Sequence, residues 1–143
     1  MRVWHGIVLA TYAAAKGGLG ALDLVKQAKA ELEQAIKLDA QVLGGSAYTS
    51  LGSLYHQVPG WPFGFGDDDK AEALLKQALA INPDGIDPNY LYGDFLLRKK
   101  RYKEARTYLE KTLRAADRPG RAVADEGRRA ETRELLKVVQ EQL

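Results

Sequence analysis

Two segments of the chain repeat the same pattern of small and large apolar residues. Segments 71–75 and 105–109 each begin with Ala and end with Leu, and they lie 34 residues apart. Gly52 and Gly93 lie 41 residues apart, which is the same period plus seven. The extra seven residues fall in a stretch rich in Pro, Gly and aromatic residues, at 58–66. A period of this length indicates repeated helical hairpins, one of which carries an insertion.

Apolar residues follow the helical period over nearly the whole chain, and no segment alternates as a strand does. Asp67 is expected to cap one helix, and Asp87, directly before Pro88, another. The sequence therefore predicts an all-α fold in a single domain, 1–143. Seven helices are expected, at about 2–16, 21–38, 46–57, 67–81, 88–99, 102–116 and 125–142.

Composition argues against several classes of function. The chain has no cysteine, which excludes disulfides and thiolate chemistry, and no apolar run approaches the roughly 20 residues of a membrane span. Its two histidines, His5 and His56, lack a second ligand at i+4, and three consecutive aspartates (67–69) cannot wrap around an ion. Segment 98–133 is basic, but we interpret it as a solvated face without base-stacking aromatics. We therefore expect no enzyme activity, catalytic residue, metal, cofactor, membrane insertion or nucleic-acid partner.

Two units carry a recognisable motif of small and large residues. In one it consists of Tyr48, Leu51, Gly52, Tyr55, Ala71, Leu75, Ala78 and Pro83. In the next it consists of Asn89, Tyr92, Gly93, Leu96, Ala105 and Leu109. This pattern resembles the tetratricopeptide repeat, which implies antiparallel hairpins stacked as a right-handed superhelix of about three units. The expected divisions are a degenerate unit (1–40), a unit with an inserted loop (45–83, loop 58–66), a third unit (86–117) and a capping helix (122–143).

The resemblance implies a non-catalytic scaffold that binds a peptide or protein segment in a concave groove. In the family the groove is lined by the first helix of each hairpin. Carried onto this sequence, the groove residues are Thr49, Ser53, His56, Tyr90, Asp94 and Leu97. Within each unit they follow i, i+4 and i+7, which is one face of a helix. Asp94 would repel the chain-terminal carboxylate that some members of the family bind.

The inserted loop carries three large aromatic residues, Trp61, Phe63 and Phe65. They either pack as a small satellite core or form one wall of a ligand groove. The second interpretation fits a looser resemblance, to bacterial exported proteins such as helper subunits of tripartite transporters. The alternative function is then a periplasmic small-ligand-binding or transporter-associated protein whose pocket is closed by the loop. A leader on a longer parent chain would place the protein in the periplasm; otherwise we expect the cytoplasm. Repeat surfaces of this kind also permit a homo-oligomer.

Overall fold

The computed structural model describes residues 19–41, 45–60 and 64–143. Across these residues there are six helices and no strand, which confirms the all-α fold of helical hairpins. The helices are α1 (Leu19–Leu38), α2 (Ser46–Gln57), α3 (Asp68–Ile81), α4 (Ile86–Arg98), α5 (Tyr102–Arg114) and α6 (Ala122–Gln142). The additional first helix predicted at 2–16 lies outside the described residues. The chain divides into two compact units, one ending at Ile81 and the other beginning at Asn82.

In the first unit, α2 packs against both α1 and α3. Its core contains Ala28, Leu32, Ala35, Ala47, Leu51, Leu54, Tyr55, Ala71, Leu75 and Ala78. Gly52 lies where α2 crosses α3: a Cβ atom there would come within 3.0 Å of Leu75 Cγ and 3.2 Å of the Ala71 carbonyl oxygen. Because even a methyl group would crowd this crossing, the glycine sets the distance between the two helices.

The inserted loop between α2 and α3 is closed at its base. Gly60 and Gly66 form an isolated bridge, and Gly66 N–H donates to the Pro59 carbonyl oxygen at 2.9 Å. A Cβ atom on Gly66 would collide with the Val58 carbonyl, so only glycine permits this return of the chain. Trp61 and Phe63 lie outside the described residues. The loop thus leaves α2 and rejoins α3 through a narrow neck.

In the second unit, α5 packs against both α4 and α6, and α6 also contacts α4. Its core contains Ile86, Tyr92, Phe95, Leu96, Ala105, Leu109, Leu136 and Val139. A Cβ atom on Gly93 would lie 2.7 Å from Leu109 Cδ2, which repeats the role of Gly52 one unit later. Asn89 is fully buried, and its Nδ2 donates to the carbonyl oxygens of Pro83 (2.9 Å) and Gly85 (2.8 Å). This side chain therefore anchors the turn before α4 to the helix itself.

The two helix caps predicted from aspartates have different outcomes. Asp67 caps α3, because its Oδ1 accepts from the N–H groups of Asp69 (3.0 Å) and Lys70 (3.1 Å). The prediction for Asp87 is wrong. Helix α4 begins two residues earlier than the predicted start at Pro88, at Ile86, with Gly85 at the cap position and no side-chain cap. The Asp87 carboxylate instead forms ion pairs with two arginines, which are described below.

Candidate functional site

The α2 face (Thr49, Ser53 and His56) offers less polar surface than its sequence suggests. Thr49 is buried, and its hydroxyl donates to the Ser46 carbonyl oxygen at 2.9 Å. A hydroxyl bonded back to its own helix has no proton left to donate to a partner. Ser53 and His56 remain half-buried. On this face, therefore, Ser53 and His56 remain the candidates for contact with a partner.

His56 links the two ends of the inserted loop. Its Nδ1 lies 3.1 Å from Asp68 Oδ1, so the last turn of α2 is joined to the first turn of α3. Phe65, near the end of the loop, packs edge-on against Tyr55 with ring centroids 5.5 Å apart. Lys29 Nζ lies 5.6 Å from the Phe65 centroid, within the range of a cation–π contact. The described part of the loop is thus packed onto the first unit.

The α4 face (Tyr90, Asp94 and Leu97) is half-buried throughout its length. It presents an aromatic ring, a carboxylate and an aliphatic side chain along one side of the helix. The Asp94 carboxylate accepts from Arg98 Nε, with distances of 3.3 Å to Oδ1 and 3.2 Å to Oδ2. The structure therefore brings these three sequence-predicted residues together on one surface.

Tyr90 is held in place by α6. The Arg128 guanidinium carbon lies 4.4 Å from the centre of the Tyr90 ring, a cation–π contact. Burial, followed by a hydrogen bond with Glu131, raises the pKa of Tyr90. The phenol is therefore neutral at physiological pH, and its ring contacts α6 through Arg128 and Glu131.

A buried ion-pair cluster behind Tyr90 was not predicted from the sequence. Asp125 is fully buried; its Oδ2 accepts from the backbone N–H of Arg118 (2.7 Å) and its Oδ1 from Arg118 Nε (2.8 Å). Arg118 Nη1 also donates to Asp87 Oδ2 at 3.1 Å, and Arg128 Nε donates to Asp87 Oδ1 at 3.3 Å. The cluster therefore ties the start of α4 to α6.

The charges within this cluster stabilise one another. The hydrogen bonds from the Arg118 side chain, more than any other cause, lower the pKa of Asp125, and the same contact raises the pKa of Arg118. The only sequence signal is an aspartate seven residues beyond an arginine, on the far side of a Pro-Gly turn. Seven residues is a helical spacing, but the turn interrupts the helix between the two residues, so the sequence gives no reason to pair them.

No metal or membrane site emerges from the described part of the chain. No group of three His, Asp or Glu side chains there is arranged to hold a metal ion. None of the helices formed by residues 19–41, 45–60 and 64–143 combines the length and apolar character that crossing a bilayer requires.

Helical hairpins with a glycine at the α2–α3 crossing and again at the α4–α5 crossing define the class: an α-helical repeat protein. Comparison with known families makes this specific, because the model of the tetratricopeptide repeat family matches residues 63–125. The match extends from the end of the inserted loop through α3, α4 and α5 to the first residues of α6. Residues 63–125, which are 63 of the 143 residues, are therefore similar to the tetratricopeptide repeat.

Such repeats generally mediate protein–protein interaction, and the family consists typically of non-enzymatic scaffolds. No curated protein matches the chain. The family match gives no support to a small-ligand pocket closed by loop 58–66. Two of the three aromatic residues on which that alternative depends, Trp61 and Phe63, lie outside the described residues.

Proposed function

We propose that this protein is a non-catalytic scaffold that binds a peptide or protein segment through the α4 face. One observation carries the proposal: Tyr90, Asp94 and Leu97 are each partly exposed and lie on one face of the first helix of the hairpin within the family match. Aromatic side chains contribute large contact area at low entropic cost, and Tyr is enriched in protein interfaces. An aromatic ring at Tyr90 and an apolar side chain at Leu97, two turns further along the helix, suit an extended segment.

Asp94 determines which charge the partner's side chain should carry at this position. Its present partner, Arg98, belongs to the same helix and exposes 64% of its side chain, whereas Asp94 exposes 20%. The Arg98 end of this i, i+4 pair is exposed to water, and helix pairs of this spacing contribute only about 0.3–0.5 kcal/mol, so Arg98 can be displaced with little loss of stability. A Lys or Arg side chain of the partner would then form an ion pair with the Asp94 carboxylate. The segment we expect therefore carries a basic residue next to an apolar one, which would contact Leu97.

The α2 face would supply a second, separate contact through Ser53 and His56. Thr49 is left out of this proposal because its side chain is buried and its hydroxyl donates to the Ser46 carbonyl. Both faces belong to the first helix of a hairpin, which is the helix that lines the groove in the family.

Selection of binders from a displayed random-peptide library tests this proposal. We expect enriched peptides to contain Lys or Arg, and their affinity to fall roughly tenfold or more in Asp94→Lys, because a close like-charge contact replaces an attractive one. Tyr90→Ala should also weaken binding, while the helical circular dichroism of both variants stays unchanged.

Glu110→Lys is the matched control. Glu110 is exposed on α5, and its carboxylate faces Arg106 across one helical turn, at 4.0 Å. The substitution therefore makes the same charge reversal in the same kind of i, i+4 pair, away from the α4 face. Peptides that bind equally well to wild type and Asp94→Lys, or that weaken equally in the Glu110 variant, would exclude the α4 face as the binding site.

A further inference from the structure

The second unit also has an open pocket, at the end opposite the α4–α5 turn. It has a volume of about 480 Å³ and lies between the turn before α4 (residues 82–86) and the end of α5 with the segment that follows it (residues 111–118). None of the proposed partner-binding residues lines this pocket. It is therefore a separate feature of the surface.

Two cations line the pocket and have no carboxylate partner among the described residues. Lys111 and Arg114 lie one turn apart on α5. Within the described chain neither forms an ion pair, whereas most of the arginines in this unit do. Unpaired cations that converge on a concave surface are suited to bind an anion.

A purely structural role would be to neutralise the negative end of the α5 dipole. Another cation already contacts that end: Arg129 Nη2 donates to the Ala115 carbonyl oxygen at 2.9 Å. Lys111 and Arg114 therefore remain available to a ligand.

The other charges of the pocket limit which anion fits. Arg118 also lines it, but its guanidinium is already paired with Asp125 and Asp87. Asp84 lines the opposite wall and would repel an incoming anion. With Arg118 paired, Lys111, Arg114 and Asp84 together carry a net charge of about +1, which one carboxylate neutralises and a phosphate dianion exceeds. Among the described residues, no aromatic side chain lines the pocket to stack on a nucleic-acid base.

We infer that this pocket binds a carboxylate side chain of an acidic peptide segment, held by Lys111 and Arg114. Apolar surface from Ala115 and Ala116 would contact the methylene groups of a glutamate. The pocket would thus contribute a second recognition site, of opposite charge preference to the α4 face.

Nuclear magnetic resonance titration of the labelled full chain tests the inference. The probe is a short capped peptide with two adjacent glutamates, compared with the same peptide carrying two glutamines. We expect saturating shift changes at the amides of Gly85, Lys111 and Arg114 with the glutamate peptide alone. Since each exposed ion pair contributes little, the double variant Lys111→Gln/Arg114→Gln should bind roughly threefold to tenfold more weakly.

The control is Lys103→Gln/Arg106→Gln, which removes a Lys and an Arg at the same spacing from the same helix, outside the pocket. It should bind as wild type does. Asp84→Asn should bind more tightly, because it removes the repelling carboxylate; a merely structural role for Lys111 and Arg114 predicts no such gain.

Four results would overturn the inference. They are the absence of shift changes, equal changes with the glutamine peptide, equal weakening in the two double variants, and tighter binding of inorganic phosphate or single-stranded oligothymidine than of the glutamate peptide. None of these bears on the α4 face, which is tested by basic peptides and by Asp94→Lys.

Discussion

Asp125→Asn should destabilise the second unit strongly, although the two side chains have almost the same shape. The Asp125 carboxylate is fully buried and accepts hydrogen bonds from the backbone and the side chain of Arg118. An amide keeps only one acceptor oxygen, so its NH₂ group would face an arginine donor. The substitution therefore removes a charge and leaves a donor of Arg118 without an acceptor.

The expected loss of unfolding free energy is about 2–4 kcal/mol. Removing one partner of a buried ion pair costs about 3–5 kcal/mol, and a hydrogen bond to a charged group contributes about 1.5–3 kcal/mol. Arg118 keeps 30% of its side chain exposed, so water can solvate part of the released guanidinium, and the lower part of the range applies. For a chain of this size, Tm should fall by roughly 6–12 °C.

The unfolding free energy lost in Asp125→Asn should become smaller as the pH falls. Because the Arg118 hydrogen bonds lower the pKa of Asp125 in the folded protein, this group stabilises the fold fully above the unfolded pKa of about 3.9. That stabilisation disappears as the pH falls through the lower, folded pKa. The difference between wild type and Asp125→Asn is therefore greatest near pH 7 and shrinks at acidic pH.

Urea denaturation followed by circular dichroism, at several pH values, measures this difference. Asp117→Asn is the control, because Asp117 makes the same kind of pair with Arg129 but is 58% exposed; it should lose at most about 1 kcal/mol. An equal loss in both variants, or a loss in Asp125→Asn that persists unchanged at acidic pH, would refute the reasoning.

Two further predictions concern packing in the second unit. Gly93→Ala should lower the unfolding free energy by about 1–3 kcal/mol, because its Cβ atom would lie 2.7 Å from Leu109 Cδ2. Gly127→Ala, with open space around the new Cβ atom, should raise the unfolding free energy by about 0.5–1 kcal/mol. Thermal unfolding that fails to separate the two variants would contradict the crossing geometry. Asn89→Leu should cost about 1–3 kcal/mol, because it leaves the Pro83 and Gly85 carbonyls without their buried donor. A cost within the error of chemical denaturation would show that water replaces the amide there.

The repeat architecture was predictable from the sequence because packing of the hairpins imposes a period. A glycine at the crossing and small residues opposite it recur every 34 residues, apart from the insertion, so the period alone assigns Gly52 and Gly93 to helix crossings. The Asp67 cap was also predicted, since a helix cap involves only the next three residues, but the same reasoning failed at Asp87, whose carboxylate pairs with two distant arginines. These features depend on local chain geometry, which the order of residues records directly.

The ion-pair cluster could not be predicted, because it depends on how distant helices are placed. Asp87 is 31 residues from Arg118 and 41 from Arg128, and no periodic pattern links them. Thr49 was assigned to a groove because it shares a helix face with Ser53 and His56. A helix face gives direction only; the exposure of a residue depends on what packs against it, and here Thr49 is buried.

The narrow neck of the inserted loop has a consequence for how this protein can change. Because Gly60 and Gly66 already meet, the ends of α2 and α3 are held together whatever the intervening chain does. Lengthening a flexible loop adds little closure entropy, about 0.6 kcal/mol for each doubling. New sequence inserted above the neck would therefore be tolerated without disturbing the crossing at Gly52. Evolution, or a protein engineer, could use the position to graft a new recognition element onto an unchanged scaffold.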